Sequence, residues 1–507
     1  MKTLAFLIIF AGLPLLLHAQ QPALGTEAEQ AAGKELYLEK CAQCHGETGD
    51  GQGSAAAFFR PAPRNFTSAI FKFRTTGSGE LPSDADIKRS IRNGMPYTGM
   101  PAWPQLSETE VTNLMYFLKT ISSDFSGPYG MPAIVEIPKP PGASEASLLR
   151  GRAVYEENQC ADCHGDTGRG YGKSAPTLAD QWNTHIRPAD LTKRWTFRNG
   201  ARREDIYRTF TTGLDGSPMP SYDMSQEDRW ALVDYVYSLS RDTPDYATVA
   251  IAQGVTGALD LSMGRALFET APAALFPVVG QVIEPGRAFY PGTNAIEVRA
   301  VYNQNEIAIQ LSWNDMRAET TGHNSPALTV PRVEAAASDS LDSFSDAVAV
   351  QWPSQQPAGT ERPYLLFGDR KRSVDLWFVD LARGEAEIFV GKGYESIEPV
   401  AGDLSVTSNY DEGEWTVIFK HQRTSEEGLS FDEGSFVPLA FSVWDGFNRE
   451  RGNKRGLTSW YHVYIAPMET ASALGPMLLY GLGTLLFGLG LVAFTRRKYR
   501  GQDLATV

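Results

Sequence analysis

The apolar positions along the chain fall into four regimes. From about 28 to 241 they recur every three or four residues in short stretches, the spacing of helices with one buried face. From about 258 to 467 they alternate, as in Ala295-Ile296-Glu297-Val298-Arg299-Ala300-Val301-Tyr302 and, after the polar Asn303-Gln304-Asn305, in Ile307-Ala308-Ile309-Gln310-Leu311-Ser312-Trp313. Alternation on both sides of a polar break predicts a hairpin. Further strands are expected at 347–352, 374–379, 414–419, 439–444 and 459–465, and several short strands joined by turn-rich loops indicate an antiparallel sandwich. Residues 473–494 are 22 positions without a charge, followed by Arg496-Arg497-Lys498-Tyr499-Arg500. That length crosses the hydrocarbon layer, and the basic cluster is expected on the cytoplasmic side. Residues 1–19 hold one lysine and then a short apolar run, the pattern of a secretory signal cleaved after Ala19. A retained anchor is the competing reading there, because Leu17 is not the small residue such a site prefers.

Within the helical regime the chain repeats itself. Residues 28–124 and 145–241 each open with a short helical pattern that runs into a cysteine pair: Cys41-Ala42-Gln43-Cys44-His45 and Cys160-Ala161-Asp162-Cys163-His164. C-x-x-C-H is the attachment signature of c-type haem, in which two sulfurs bond to the porphyrin and the histidine supplies an axial nitrogen. The two motifs use all 4 cysteines, leaving none for a disulfide or a catalytic thiol. A zinc site would tie the two pairs together, and a thiol redox pair needs no histidine after its second cysteine. Two covalent haems c are therefore expected.

A methionine thioether is the usual sixth ligand where a high potential is needed. Met95 and Met100 follow the first motif; Met219 and Met224 follow the second. The repeat selects among them, because His45 to Met100 and His164 to Met219 are both 55 residues, whereas Met95 falls opposite Leu214 and Met224 opposite Gln105. Met100 and Met219 are the expected ligands, and Met95 and Met224 are read as packing residues.

Around these ligands the two halves share further features. Glycine-rich turns follow both motifs (Gly46 to Gly53, Gly165 to Gly172), where glycine lets backbone pass close to a porphyrin edge. Ser107-x-x-Glu110 reads as a capping box opening the last helix of the first half, with Ser225-x-x-Asp228 a weaker copy. Arg64 or Arg74, and Arg187 or Arg198, are candidates to neutralise haem propionates, against ordinary surface arginines as the alternative. His185 has no counterpart in the first half and reads as a loop histidine.

A helix entering C-x-x-C-H, a methionine-proline loop and a closing helix together resemble class I c-type cytochromes over about two fifths of the chain. The resemblance implies two small all-α domains, each wrapping one haem, and so a short wire for electrons. Pro138-Lys139-Pro140-Pro141-Gly142 forms a stiff break between the halves, and 241–257 loses the helical pattern.

The sandwich carries phrases of its own: Leu311-Ser312-Trp313-Asn314-Asp315, Val374-Asp375-Leu376-Trp377, Gly413-Glu414-Trp415 and Phe441-Ser442-Val443-Trp444-Asp445-Gly446 leading to Lys454. They resemble the haem-b-binding γ subunit of ethylbenzene dehydrogenase and its relatives, which serve molybdenum enzymes of the dimethyl-sulfoxide-reductase type. The resemblance implies a b-type haem held between a methionine and a lysine. Lys454 matches the lysine position, but Phe367 stands where the methionine is expected, leaving Met316 or His462 as substitutes, or a domain that binds no haem and serves for docking.

A formal charge of −14 with no long basic run before the C-terminus argues against nucleic acid as a partner. No Ser-His-Asp arrangement, phosphate-binding glycine loop or iron–sulfur cysteine set stands out, so catalysis is expected in another chain. Three readings follow. The first is an exported electron-transfer subunit, anchored on the periplasmic face of the cytoplasmic membrane with its C-terminus inside. It would relay electrons between a molybdopterin and iron–sulfur oxidoreductase (nitrite/nitrate oxidoreductase-like) and the respiratory chain, by way of a soluble cytochrome c or a terminal oxidase. The second is a tethered dihaem carrier whose sandwich only docks partners. A peroxidase ranks last, because methionine closes both irons.

Overall fold

The computed structural model describes residues 23–59, 61–127, 132–240, 243–280, 292–331, 343–424, 428–468 and 473–498. The expected signal segment at 1–19, and residues 499–507 of the expected tail, lie outside them.

The chain folds as two helical units, then a large domain of mostly sheet, then one apolar helix. In the first unit α1 (Glu27–Lys40) is capped by Thr26 with Glu29 and runs into the single turn α2 (Ala42–His45), followed by α3 (Asp84–Asn93) and α4 (Glu108–Thr120). The capping box at Ser107 and Glu110 is present, with each partner's backbone nitrogen donating to the other's side chain. The second unit repeats the order with α5 (Glu145–Glu157), α6 (Ala161–His164), α7 (Arg203–Thr212) and α8 (Gln226–Leu239). At Ser225 only half of the box forms: Asp228 N donates to Ser225 Oγ at 3.0 Å.

First and last helices cross in each unit at a glycine. A Cβ on Gly33 would stand 2.0 Å from Asn113 O, and one on Gly151 would stand 2.0 Å from Ala231 O, so only glycine permits the approach. Tyr37, Ile91, Val111, Leu114 and Met115 then close the first core; Tyr155, Phe210, Trp230, Leu232 and Val236 close the second. Gly151 lies 118 residues after Gly33, while Cys160 lies 119 after Cys41. The extra residue is taken up just before the second motif, where Gln159 adopts φ +55°.

The sheet domain holds β1 (Val249–Gly254), β2 (Ala274–Pro277), β3 (Val279–Gly280), β4 (Ala295–Tyr302), β5 (Glu306–Asn314), β6 (Ala347–Pro353), β7 (Val374–Asp380), β8 (Glu385–Gly391), β9 (Ile397–Val400), β10 (Leu404–Asp411), β11 (Glu414–Gln422), β12 (Phe436–Trp444), β13 (Gly456–Leu457) and β14 (Tyr461–Ile465). The order is β10-β11-β5-β4-β1-β14-β12-β6-β7-β8-β9. β12 joins the two leaves: Phe436–Leu439 pair with β14 and Ala440–Trp444 with β6. Between the leaves lie Ile309, Leu311, Trp313, Val350, Trp352, Val417, Leu439 and Phe441, the alternate positions that strand geometry sends to one side. The expected β4–β5 hairpin forms with Asn303 N donating to Glu306 O at 2.9 Å.

Pairing is antiparallel except around β1, which lies parallel to both β14 and β4. β1 falls in the stretch after residue 241 expected to be a linker, yet it sits between β4 and β14 with Ala250 and Ala252 in the core. Its small residues make little hydrophobic pattern, and its partners are supplied from far along the chain.

The terminal helix α9 (Leu474–Lys498) is long and apolar enough to cross a membrane, and its described side chains are exposed along its length.

Candidate functional site

Each cysteine motif is built as a continuation of the helix before it. Cys41 N donates to Tyr37 O (2.8 Å) and His45 N to Cys41 O (3.0 Å), so Cys41, Cys44 and His45 are set by one helical turn. The turn ends at Gly46, with φ +80°, and the chain folds back so that Gly51 N donates to His45 O at 2.8 Å. In the second unit Gly165 has φ +77° and Gly170 N donates to His164 O at 2.7 Å. Two buried tyrosines not singled out from the sequence clamp these turns: Tyr37 Oη donates to Gly46 O and Tyr155 Oη to Gly165 O, each at 2.7 Å. The pair recurs at an offset of 118 residues, one fewer than the cysteine motifs.

The two histidines are held in one tautomer. His45 Nδ1 lies 3.0 Å from Arg64 O and His164 Nδ1 2.9 Å from Ala189 O, so Nδ1 carries the proton and donates. Nε2 then keeps a free lone pair, the orientation found in metal-ligating imidazoles. Burial depresses the basicity of both rings, favouring the neutral form that ligation needs. Phe66 stacks on His45 at 4.6 Å between centroids.

Met100 and Met219 occupy equivalent places. Met95 N donates to Met100 O and Leu214 N to Met219 O, each at 3.0 Å; Thr98 Oγ1 accepts from Met100 N (3.1 Å) and Ser217 Oγ from Met219 N (3.4 Å). Leu214 therefore stands where Met95 does, and Met224 packs with the second core.

Cys160, Cys163, His164 and Met219 line one cavity of about 640 Å³, within the range of small-molecule and cofactor sites. Leu191, Phe197, Ile206, Phe210 and Val236 make its apolar wall. Lys72 and Tyr97 of the first unit and Met316, Phe447 and Lys454 of the sheet domain border it as well, so three parts of the chain meet there. The donor set fits a covalently attached porphyrin: two cysteines with no disulfide partner, a tautomer-locked imidazole, a thioether and an apolar wall. Of the cations nearby, Lys72 and Arg198 line the cavity. Arg64 lies over Trp182 at 4.4 Å, its Nη1 buried and without a hydrogen-bond partner among the described residues, and burial with Arg64 and Arg198 nearby pulls Lys72 down to about 7.

The arginine candidates divide. Arg198 lines the cavity; Arg64 does not, and Arg74 is committed elsewhere. Its guanidinium is fully buried against Asp215 (2.7 Å), Thr212 O (2.8 Å), Gly77 O and Phe71 O. Arg187 borders the cavity but pairs with Asp445 of the sheet domain at 2.5 Å, and His185 lies against Phe447 there at 4.5 Å.

Two family patterns match the helical units: that of cbb3-type cytochrome c oxidase subunit III over residues 28–118, and cytochrome c over 148–240. Both units are cytochrome c domains. A haem subunit named as that of a respiratory nitrate reductase in Haloferax mediterranei is 23% identical over 238 residues, covering 46% of this chain and 79% of that protein. The chlorate reductase γ subunit of Ideonella dechloratans is 26% identical over 186 residues, covering 35% of this chain and 70% of its own. Among solved structures, a chain of the Kuenenia stuttgartiensis reducing HAO-like complex is 40% identical, with TM-score 0.41, covering 44% of this chain and 100% of that one.

Of the sheet-domain residues considered for a b-type haem, Met316 and Lys454 line one cavity, whereas Phe367 and His462 lie outside it. Phe367 is fully buried in a cluster with Val374, Phe378 and Trp444, its ring 3.8 Å beneath the Arg455 guanidinium. Lys454 and Met316 face the cavity of the second cytochrome domain, where Lys454 Nζ donates to Asn448 O at 3.0 Å. His462 is on β14, 3.0 Å from Arg362. Phe367 does not line the cavity that Lys454 and Met316 share, and that cavity is already lined by Cys160, Cys163, His164 and Met219, so a porphyrin held between Phe367 and Lys454 does not fit.

Proposed function

We propose that this chain is the membrane-anchored electron-transfer subunit of an exported molybdenum oxidoreductase of the nitrate, nitrite or chlorate type, relaying electrons between that enzyme and the respiratory chain. Cys41 and Cys44 would hold one haem c covalently, with His45 and Met100 as its iron ligands. Cys160 and Cys163 would hold the second, with His164 and Met219. The observation that carries the reading is the meeting of three domains at the second cytochrome cavity, which sets a partner docked on the sheet domain beside the second cytochrome domain and that domain beside the first. The names of the nitrate and chlorate reductase subunits support the choice of partner.

When bound, the haems supply one-electron redox chemistry, and the chain's own residues hold and insulate them. His45 and His164 keep Nε2 aimed by donating from Nδ1 to backbone carbonyls. Met100 and Met219 would supply the second iron ligand at each site, and catalysis is assigned to a partner chain. α9 anchors the assembly with Arg496, Arg497 and Lys498 on the cytoplasmic side and the haem domains in the periplasm. Because Met316 and Lys454 border the cavity of the second cytochrome motif and Phe367 lies outside it, the sheet domain is assigned to docking.

A pyridine haemochrome spectrum of detergent-purified protein, with acid-acetone extraction and identification of co-purifying chains, tests this. Two covalent haems, none extractable, and a molybdenum and iron–sulfur partner are expected. The same haems with no partner under mild extraction would favour a tethered dihaem carrier, and an extractable third haem would overturn the assignment of the sheet domain.

A further inference from the structure

Three carboxylates of the sheet domain converge beside the second cytochrome domain. Asp315 follows the end of β5, Glu319 lies four residues on, and Asp346 immediately precedes β6; one oxygen from each lies within 4.8 Å of the others. All three are more than nine-tenths buried. Asp346 is held in place, Oδ1 accepting from Gly446 N (2.9 Å) and Oδ2 from Glu319 N (2.8 Å) and Trp415 Nε1 (3.0 Å). Arg317 reaches Glu319 Oε1. Asp315 Oδ2 and Glu319 Oε2, by contrast, are buried with no hydrogen-bond partner among the described residues.

Arg187 and Arg317 offset part of the negative charge on Asp315 and Glu319, but a buried carboxylate oxygen left without a donor in a cluster of carboxylates is a costly arrangement. Burial and mutual repulsion push Asp315 and Asp346 well above the usual carboxylate range, and Glu319 upward too. The same repulsion is relieved by a cation among the oxygens. Calcium takes oxygen ligands at about 2.3–2.6 Å, so oxygens on opposite sides of one ion stand about 4.6–5.2 Å apart, the scale of this cluster. An all-oxygen set selects calcium or magnesium over zinc or copper.

We propose that Asp315, Glu319 and Asp346 form a binding site for a hard divalent cation of the calcium class. The site pins the end of the sandwich that meets the second cytochrome domain: Asp315 borders that domain's cavity, and the adjacent Asp445 receives Arg187 from it.

The full chain, purified in detergent with its haems, is passed through a chelating resin and analysed for metals by mass spectrometry, then titrated with calcium chloride while its thermal unfolding is followed. We expect one calcium or magnesium per chain as isolated, a melting temperature that falls by several degrees in EDTA, and recovery on adding calcium. Asp315→Asn and Glu319→Gln, checked for folding by their unchanged haem spectra, should lose both the ion and the response to calcium. Wild-type protein carrying no divalent ion besides iron, and melting identically in EDTA and calcium, overturns the proposal whatever the variants do. So does an ion retained in both folded variants, which would place it elsewhere.

Discussion

Arg74 of the first cytochrome domain grips Asp215 of the second across the boundary between them, at 2.7 Å, with the guanidinium fully buried. Asp215 lies four residues before Met219, and it also accepts from Ser78 Oγ (3.2 Å) and Gly79 N (2.8 Å), so the methionine loop of one domain is moored on the other. Asp215→Asn leaves the cation buried without its anion, which should cost about 3 kcal/mol. Replacing both residues, as Arg74→Met with Asp215→Asn, should recover part of that loss, because no buried charge remains. Thermal unfolding of the two single variants and the double variant gives the coupling; additive effects would mean the pair is not a mooring.

The crossing glycines make a prediction for each domain. A side-chain methyl at Gly33 or Gly151 meets a carbonyl oxygen 2.0 Å away, and backbone on two packed helices has little room to yield. Gly33→Ala and Gly151→Ala should each destabilise by about 3 kcal/mol, the upper end for overpacking. Gly142→Ala, where the methyl meets nothing within 4 Å, is the control and should be near neutral. Calorimetry of all three, with covalent haem content measured alongside, checks this.

The methionines separate ligation from packing. Leucine conserves volume, so the fold should tolerate it at a cost below about 1.5 kcal/mol. Met100→Leu and Met219→Leu should each lower the potential of one haem, since a soft thioether is the ligand that holds it high. Met95→Leu and Met224→Leu should leave both redox titrations at their wild-type positions. A potentiometric titration followed by absorbance reads all four, and a shift with Met95→Leu would reverse the assignment in the first domain.

Much of this architecture was legible because its causes are local. A covalent motif needs its residues at fixed spacing, so Cys41 to His45 and Cys160 to His164 announce themselves. The helices and the β4–β5 hairpin follow from periodicity and from the turn at Asn303. What was hidden depends on partners distant in sequence. Arg74 resembled an arginine for a propionate because Asp215, its real partner, is 141 positions away. β1 passed for a linker because Ala250 and Ala252 owe their burial to β4 and β14 rather than to any pattern of their own. Asp315, Glu319 and Asp346 look like ordinary surface acids until the strands bring them together.

Asp375, on β7, gives a pH dependence of known sign. Burial raises its pKa, against the opposing hydrogen bond from Ser354 Oγ at 2.6 Å and the nearby His421 ring. A carboxyl whose folded pKa lies above its unfolded value binds its proton more tightly in the native state. Its contribution to stability is therefore full below the unfolded pKa, near 4, and is lost as the pH rises through the folded one. Asp375→Asn keeps the shape and an oxygen for Ser354 but cannot ionise. The variant should gain stability over wild type as the pH rises from about 4 to neutrality, with the two close together at the acid end. Thermal unfolding in detergent at several pH values measures the difference; a gap that does not widen with pH would mean that burial does not disfavour the charged carboxylate at this position.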